Sequence, residues 1–175
     1  MPWRHLPPMN DAAALLDVEL IMQLKARYCR HLDAKDWAAW RKLFADDFVA
    51  EIGGTGGRVV TGADEFVSYT RSTLGKRWQP TVHQVHSPEI SLASSTAARG
   101  VWVLSDVVRL FPALSLRGYG HYRETYEKRD GRWQLKSSQL TRLREDLVTP
   151  LFAVHDARHL RSAAAKLARR LSDSS

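Results

Sequence analysis

The chain has 175 residues, of which 44% are hydrophobic and 26% charged, and its formal net charge is +7. This length favours one domain with a sizeable core, and the composition is ordinary for a globular protein. No apolar run approaches the roughly 20 residues that cross a bilayer, and the N-terminus lacks the apolar core of a signal peptide. The single cysteine, Cys29, excludes an internal disulfide, so we expect a cytoplasmic protein without a membrane partner.

The chain begins with a proline-rich stretch, residues 1–10, which we expect to be a flexible leader. A first helix is predicted over residues 11–34, because apolar side chains recur every four residues. These are Leu16, Leu20, Leu24, Tyr28 and Leu32. Asp33 lies near the end of this helix, where the helix dipole disfavours a carboxylate, so a purely stabilising surface role is not expected.

A second, short helix is predicted over residues 36–44, with Asp36 as its N-cap. Its predicted buried face consists of Trp37, Trp40 and Phe44. A hairpin then joins strands at 48–52 and 58–61 through a glycine-rich loop, and a third helix follows at 63–74. The glycine run is not followed by Gly-Lys-Ser/Thr, so a phosphate-binding loop is not expected.

Four strands are predicted over the rest of the domain, and they end before a basic tail. They span residues 82–94, 97–111, 116–129 and 132–144, and Asp130-Gly131 forms a tight turn between the last two. This order predicts an α+β domain over residues 11–150, with a curved antiparallel sheet around N-terminal helices.

Residues 151–175 are predicted to form an amphipathic basic helix that carries much of the positive charge. Its apolar stripe consists of Leu160, Ala164, Leu167 and Leu171. We expect this stripe to pack on the domain or on a neighbouring subunit. No nucleic-acid partner is expected, because the chain has neither an aromatic-basic strand motif nor a basic recognition helix.

Several short motifs together resemble a known family. They are Arg27-Tyr28, Leu32-Asp33, Asp36-Trp37, Leu43-Phe44, Asp46-Asp47, His83, Glu89-Ile90, Gly120-His121-Tyr122 and Asp130-Gly131-Arg132-Trp133. The pattern resembles the SnoaL-like branch of the nuclear transport factor 2-like superfamily over about residues 14–147, and within it scytalone dehydratase and the bile-acid 7α-dehydratases. This resemblance implies a cone-shaped sheet closed by helices, with a pocket at the wide end.

The resemblance implies a catalytic set of Tyr28, Asp33 and His83. In that set Asp33 accepts the Nδ1 proton of His83, His83 transfers protons, and the Tyr28 hydroxyl stabilises an enolate oxygen. Without the resemblance, His83 would more often be a core histidine. Strand alternation places His83 and His86 on opposite faces unless a bulge precedes Pro88.

A further set of residues is predicted to bind substrate. It consists of Trp37, Trp40, Phe44, Trp102, Asp106 and Arg144. Asp106 lies within an apolar run, so it is either a pocket group with a raised pKa or an outward-facing residue at an interface. The arginine maps onto Arg144, or onto Arg142 if the register slips. The relatives carry a second pocket tyrosine near the first hairpin, which this chain lacks.

These residues indicate a cofactor-independent dehydratase that acts on a hydroxylated apolar small molecule, such as a polyketide, steroid or terpenoid. An isomerase or cyclase that uses the same pocket, and a non-catalytic small-molecule binding protein, are the alternatives. No metal is expected, because the histidines lack metal-binding spacing. Long strands with apolar outer positions predict a homo-oligomer, either a dimer or a trimer.

Overall fold

The architecture was taken from a computed structural model, which describes residues 12–53 and 57–155. In chain order the elements are α1 (Ala12–Ala34), α2 (Trp37–Arg41), β1 (Phe44–Ile52), β2 (Arg58–Thr61), α3 (Ala63–Leu74), β3 (Thr81–Leu92), β4 (Ala97–Phe111), β5 (Leu114–Arg129), β6 (Arg132–Val148) and β7 (Ala153–Val154). The elements in the described part of the chain confirm the predicted α+β class.

The strands form one curved, unclosed sheet in the order β2-β1-β6-β5-β4-β3, with β7 on the free end of β6. β1 runs parallel to β6, and the other described pairs are antiparallel. Helix α1 packs against β3 on one face of this sheet, which brings the end of the helix to the start of the strand. The cone-shaped arrangement predicted from the sequence is therefore confirmed.

The core is an aromatic and aliphatic cluster between α1 and the inner face of the sheet. From α1 it takes Ile21, Leu24, Tyr28 and Leu32, whereas Leu16 is 58% exposed. The expected burial of Leu16 was wrong because a four-residue spacing drifts by ~40° per step on a helix of 3.6 residues per turn. After four such steps Leu16 has rotated away from the side that carries Leu32.

Several predicted boundaries were wrong by a few residues. The second helix ends at Arg41, since Phe44 already pairs as the first residue of β1, while Asp36 caps the helix by accepting a hydrogen bond from the Ala39 amide at 3.1 Å. The last long strand extends to Val148. None of the helices within the described ranges combines the length and apolar character needed to cross a bilayer.

The two predicted terminal segments fall almost entirely outside the described residues. The leader at 1–10 is one of them, and the tail helix is described only as far as residue 155. Within that part, residues 153–154 form the short strand β7 rather than the start of a helix, because their backbone pairs with Leu147 and Val148. The prediction was therefore wrong for these first tail residues.

Candidate functional site

The site begins where α1 ends. Lys35 has a left-handed backbone (φ 60°), which stops the helix directly after Ala34 and leaves Asp33 in its last turn. The Asp33 carboxylate accepts a hydrogen bond from His83 Nδ1 at 2.7 Å and another from the His83 backbone amide at 2.8 Å. An ionised carboxylate is only an acceptor, so Nδ1 carries a proton and Nε2 is left without one in the neutral ring.

Further hydrogen bonds hold the Asp33 carboxylate. The Thr81 hydroxyl donates to its Oδ1 at 2.9 Å, and Lys35 Nζ donates to that hydroxyl at 2.6 Å. Burial alone would raise the pKa of Asp33, but the hydrogen bonds from His83 and Thr81 outweigh it and lower the pKa. Asp33 is therefore ionised at neutral pH and orients the imidazole.

A second carboxylate lies on the other side of the same ring. Asp106 is directly opposite His83 in the β3–β4 register, and its Oδ2 is 3.9 Å from His83 Nε2. That separation is too long for a hydrogen bond. The Arg142 guanidinium donates two hydrogen bonds to the Asp106 carboxylate, at 2.7 and 2.6 Å. Asp106 therefore faces inward, next to His83, rather than outward at an interface.

A register shift decides which arginine reaches this carboxylate. Tyr119 pairs with Arg144 but the next residue, Gly120, pairs with Arg142, so β6 carries one extra residue. As a result Arg142 faces Asp106, while the half-exposed Arg144 binds Asp146 at 2.9 Å and contacts His155. Arg142, the alternative expected for a slipped register, therefore lies against Asp106, whereas Arg144, the first choice from the sequence, does not.

Gly118 makes room for the Asp106–Arg142 pair. A Cβ at this position would clash with the Arg142 guanidinium and with Asp106 Oδ1. Gly118, Thr81 and Lys35 were not among the site residues predicted from the sequence. A small residue opposite a charged one could have indicated the close approach at Gly118, but only once the strand register was known.

Tyr28 lies in the aromatic core rather than against the imidazole. Its ring centroid is 5.3 Å from that of Trp40 and 6.1 Å from that of Tyr122, and the Lys25 ammonium is 4.1 Å from the ring. Burial raises the pKa of Tyr28 well above its usual range, with further contributions from Tyr122 and Glu124. Its hydroxyl is therefore protonated at neutral pH.

An open cleft of about 630 Å³ lies between α1 and β3 and reaches His83. This volume falls in the range typical of small-molecule sites. The lining is mainly apolar and includes Met22, Ala26, Cys29, Val85 and Trp102, together with His83, Gln84 and His86. Burial raises the pKa of the Cys29 thiol to about 11, so it is uncharged at neutral pH.

Both histidines of β3 border this cleft, although His83 is buried and His86 is exposed. The register of β3 shifts between His86 and Glu89, where Ser87 has a positive φ of 48°. This bulge lies after His86, and the pairing from His83 to His86 is unbroken, so the two side chains alternate between faces even though both residues border the cleft; His86 is bonded to the Ser87 hydroxyl at 3.1 Å.

The predicted aromatic lining is only partly at the cleft. Trp102 borders it, but Trp40 and Phe44 are 0% exposed, which leaves no water-sized space beside them. They pack against each other with ring centroids 4.9 Å apart, and Trp37 packs on Trp40 at 6.0 Å. Placing Trp40 and Phe44 in a pocket wall was wrong because α2, which carries Trp40, and the start of β1, which carries Phe44, face the core cluster.

A second buried network was missed. Lys25 Nζ binds Glu124 Oε1 at 2.6 Å, and both side chains are 0% exposed. Glu124 also accepts bonds from Tyr126 at 2.5 Å and Ser138 at 3.2 Å, and Trp102 donates to Tyr126 at 2.8 Å. The sequence feature that could have indicated this network is Lys25, a charged residue on the apolar face of α1.

Comparison with known proteins places the domain in a family. A profile of the SnoaL-like domain matches residues 13–139. A solved candidate scytalone dehydratase from Novosphingobium aromaticivorans superposes with a TM-score of 0.70 at 23% identity, over 76% of this chain and 88% of that chain. The hexachlorocyclohexane dehydrochlorinase LinA-type3 from Novosphingobium barchaimii superposes with a TM-score of 0.70 at 16% identity, over 80% of this chain and 95% of that chain.

A third similar structure is a protein of unknown function with a cystatin-like fold from Nostoc punctiforme. Its TM-score is 0.59 at 25% identity, over 78% of this chain and 96% of that chain. Within the described ranges, no group of three or more His, Cys, Asp or Glu side chains is arranged to hold a metal ion.

Proposed function

Because the chain belongs to the SnoaL-like domain family, we propose that it is a cofactor-independent lyase of the dehydratase type, acting on a hydroxylated, largely apolar small molecule. The observation that carries this proposal is the 2.7 Å contact between Asp33 and His83 Nδ1 beside an apolar cleft. Such a pair orients a general base without a metal or cofactor. The solved relatives named above include a candidate dehydratase and a dehydrochlorinase.

His83 is the proposed base. Its Nε2 takes a proton from the carbon next to a substrate carbonyl, and the ring becomes an imidazolium. That positive charge forms between Asp33, at 2.7 Å from one ring nitrogen, and Asp106, at 3.9 Å from the other. Asp33 stays bonded to the ring through Nδ1 during this step, whereas the carboxylate of Asp106 is already bound by Arg142. Arg142 holds Asp106 in place.

The electron pair of the broken C–H bond forms the enolate, which then expels the β-hydroxyl as the carbon–carbon double bond forms. The imidazolium returns its proton to the leaving oxygen, so water departs and His83 is neutral again. One histidine serves both steps when the elimination is syn. Tyr28 was expected to donate to the enolate oxygen, but it is 4% exposed in the packed aromatic core and does not line the His83 cleft, so this scheme gives it no step.

The cleft favours an apolar substrate body. Met22, Val85 and Trp102 supply apolar walls, and its volume of about 630 Å³ accommodates an aromatic, terpenoid or steroid skeleton. We therefore propose a polyketide-, terpenoid- or steroid-like β-hydroxy ketone.

A mass-spectrometric assay tests the reaction type. The protein is incubated with aromatic, terpenoid and steroid β-hydroxy ketones, including 4-hydroxy-4-phenylbutan-2-one. We expect loss of one water from at least one compound, and no loss with His83→Gln. The matched control is His86→Gln at the cleft rim, which should retain turnover. A product of unchanged mass would support the isomerase or cyclase instead. Ligand binding without any product, unaffected by His83→Gln, would support the non-catalytic binding protein.

The outer face of the sheet supports a second proposal, that the chain forms a homo-oligomer. Val82 and Val107 are direct neighbours across β3 and β4, and they are 49% and 37% exposed. Burial of this apolar surface by another copy would stabilise a dimer or trimer. Light scattering should give an oligomer that Val82→Glu weakens. A monomeric wild-type protein at micromolar concentration would overturn this proposal.

A further inference from the structure

A second cleft, of about 290 Å³, lies on the opposite side of α1 from the His83 cleft. A helix turns ~100° per residue, so Leu24 and Arg27 project away from the side that carries Met22 and Cys29. We call it the basic cleft, because three cations border it. They are Arg27 from α1, Lys42 from the α2–β1 junction and Arg132 from the start of β6.

None of these three cations has an ion pair or a side-chain hydrogen bond within the described part of the chain. Other basic residues are engaged: Arg41 binds Asp64 and Asp46, and Lys128 binds Asp17. Three like charges around one cleft without a counterion repel one another, and an anion between them would replace repulsion with attraction.

The floor of the basic cleft is apolar. Leu24, Leu43 and Trp133 border it and are at most 8% exposed. The Trp133 indole nitrogen donates to Asp17 at 2.9 Å, which fixes the ring in place. A fixed ring and two leucines below a cationic rim suit a ligand with an anionic head and an apolar body.

The acidic neighbours do not neutralise this rim. Arg132 also borders a polar cleft that contains Asp46 and Asp130. Asp46 is already bound to Arg41 at 2.7 Å, and Asp130 is exposed in the turn before β6.

We propose that the basic cleft binds a small organic anion, an aryl carboxylate or sulfonate, with the acid group among Arg27, Lys42 and Arg132 and the ring on Trp133. The volume of about 290 Å³ suits a ligand of one or two rings rather than a lipid chain or a polymer. This site does not involve His83.

Isothermal titration of the full chain with 1-naphthoate tests the proposal, with 1-naphthamide and inorganic phosphate as comparison ligands. The variant is the double change Arg27→Gln and Lys42→Gln. The matched control, Arg99→Gln with Arg123→Gln, removes the same charge from exposed strand positions. We expect naphthoate affinity to fall ~10-fold or more in the variant, because two of the three cations around the acid group are removed, and to be unchanged in the control.

His83→Gln should leave naphthoate affinity unchanged, which separates this site from the proposed catalytic one. In amide and indole NMR spectra, naphthoate should shift the signals of Gly131 and Trp133. Three results would overturn the proposal: equal losses in the variant and the control, naphthamide or phosphate binding as tightly as naphthoate, or shifts confined to Met22 and Cys29.

Discussion

Two buried polar networks lie on the inner side of the same sheet, and they differ in how completely they are closed. In the Lys25–Glu124 network both charged side chains are 0% exposed and 2.6 Å apart. In the His83 network one ring nitrogen is bonded at 2.7 Å, whereas the other lies 3.9 Å from Asp106, and His83 as a residue borders a cleft.

The difference separates an architectural role from a chemical one. Glu124 accepts bonds from Lys25, Tyr126 and Ser138, and its side chain is 0% exposed, so it is closed to a substrate. This network holds Trp102 through Tyr126 and so fixes one wall of the cleft. His83, by contrast, keeps Nε2 available for a proton. A closed network specifies a unique core, and an open one beside a cleft is suited to catalysis.

The largest expected effect is on turnover. His83→Gln should lower the dehydration rate ~10²–10⁴-fold, the usual contribution of a positioned general base, while the free energy of unfolding changes little beyond the lost Asp33 contact. Steady-state kinetics and urea unfolding of the same preparation check both parts. Unchanged turnover would remove His83 from the mechanism.

Breaking the closed network should act on stability instead. Lys25→Met leaves the Glu124 carboxylate buried without its cation, which costs ~3–5 kcal/mol in comparable pairs. The double change Lys25→Met with Glu124→Gln should recover part of this loss, because no charge then remains buried. Urea unfolding measures both. A double variant as unstable as the sum of the two single variants would show that the residues do not act as a pair.

Gly118→Ala tests the Asp106–Arg142 pair. The added methyl clashes with both side chains, and overpacking of this kind costs ~1–3 kcal/mol. Turnover should fall as well, because Asp106 moves relative to His83. The control variant is Arg144→Gln. Arg144 lies outside the site, so this change should leave turnover intact. Equal turnover losses in these two variants would contradict the assignment of Arg142.

The smallest expected effect is the pH dependence at Asp33. Its pKa is lowered from 3.8 in the folded chain, so its contribution to stability is present above the unfolded pKa and is lost as pH falls through the folded value. The stability difference between the wild type and Asp33→Asn should therefore shrink below pH 3.8. Urea unfolding at neutral pH and at about pH 3 measures it. A difference that grows with acid would contradict the ionised Asp33.

The sequence was most informative where a local pattern decides the structure. Turn chemistry at Asp130-Gly131, the cap at Asp36 and the long β-branched strands predicted the elements, and the helix-end position of Asp33 directed attention to its partner. Those signals depend only on neighbouring residues, so they can be interpreted without knowledge of tertiary contacts.

Two features could not be predicted in the same way: the pairing register of the strands, and whether a buried side chain faces a pocket or the packed core. One extra residue in β6 moved the inward position from Arg144 to Arg142, and strand alternation gives no warning of a bulge. A buried aromatic such as Trp40 has the same pattern whether it faces a pocket or a packed core. Lys25 and Glu124 are separated by 99 positions, so neither predicts the other.

Deuterium exchange from D₂O into 4-phenylbutan-2-one, which lacks a leaving hydroxyl, separates proton abstraction by His83 from the later loss of water. We expect the wild-type protein and His86→Gln to accelerate deuterium uptake next to the carbonyl, Asp33→Asn to do so more weakly, and His83→Gln not to exceed the buffer rate. Equal deuterium uptake with the wild-type protein and His83→Gln would contradict proton abstraction by His83.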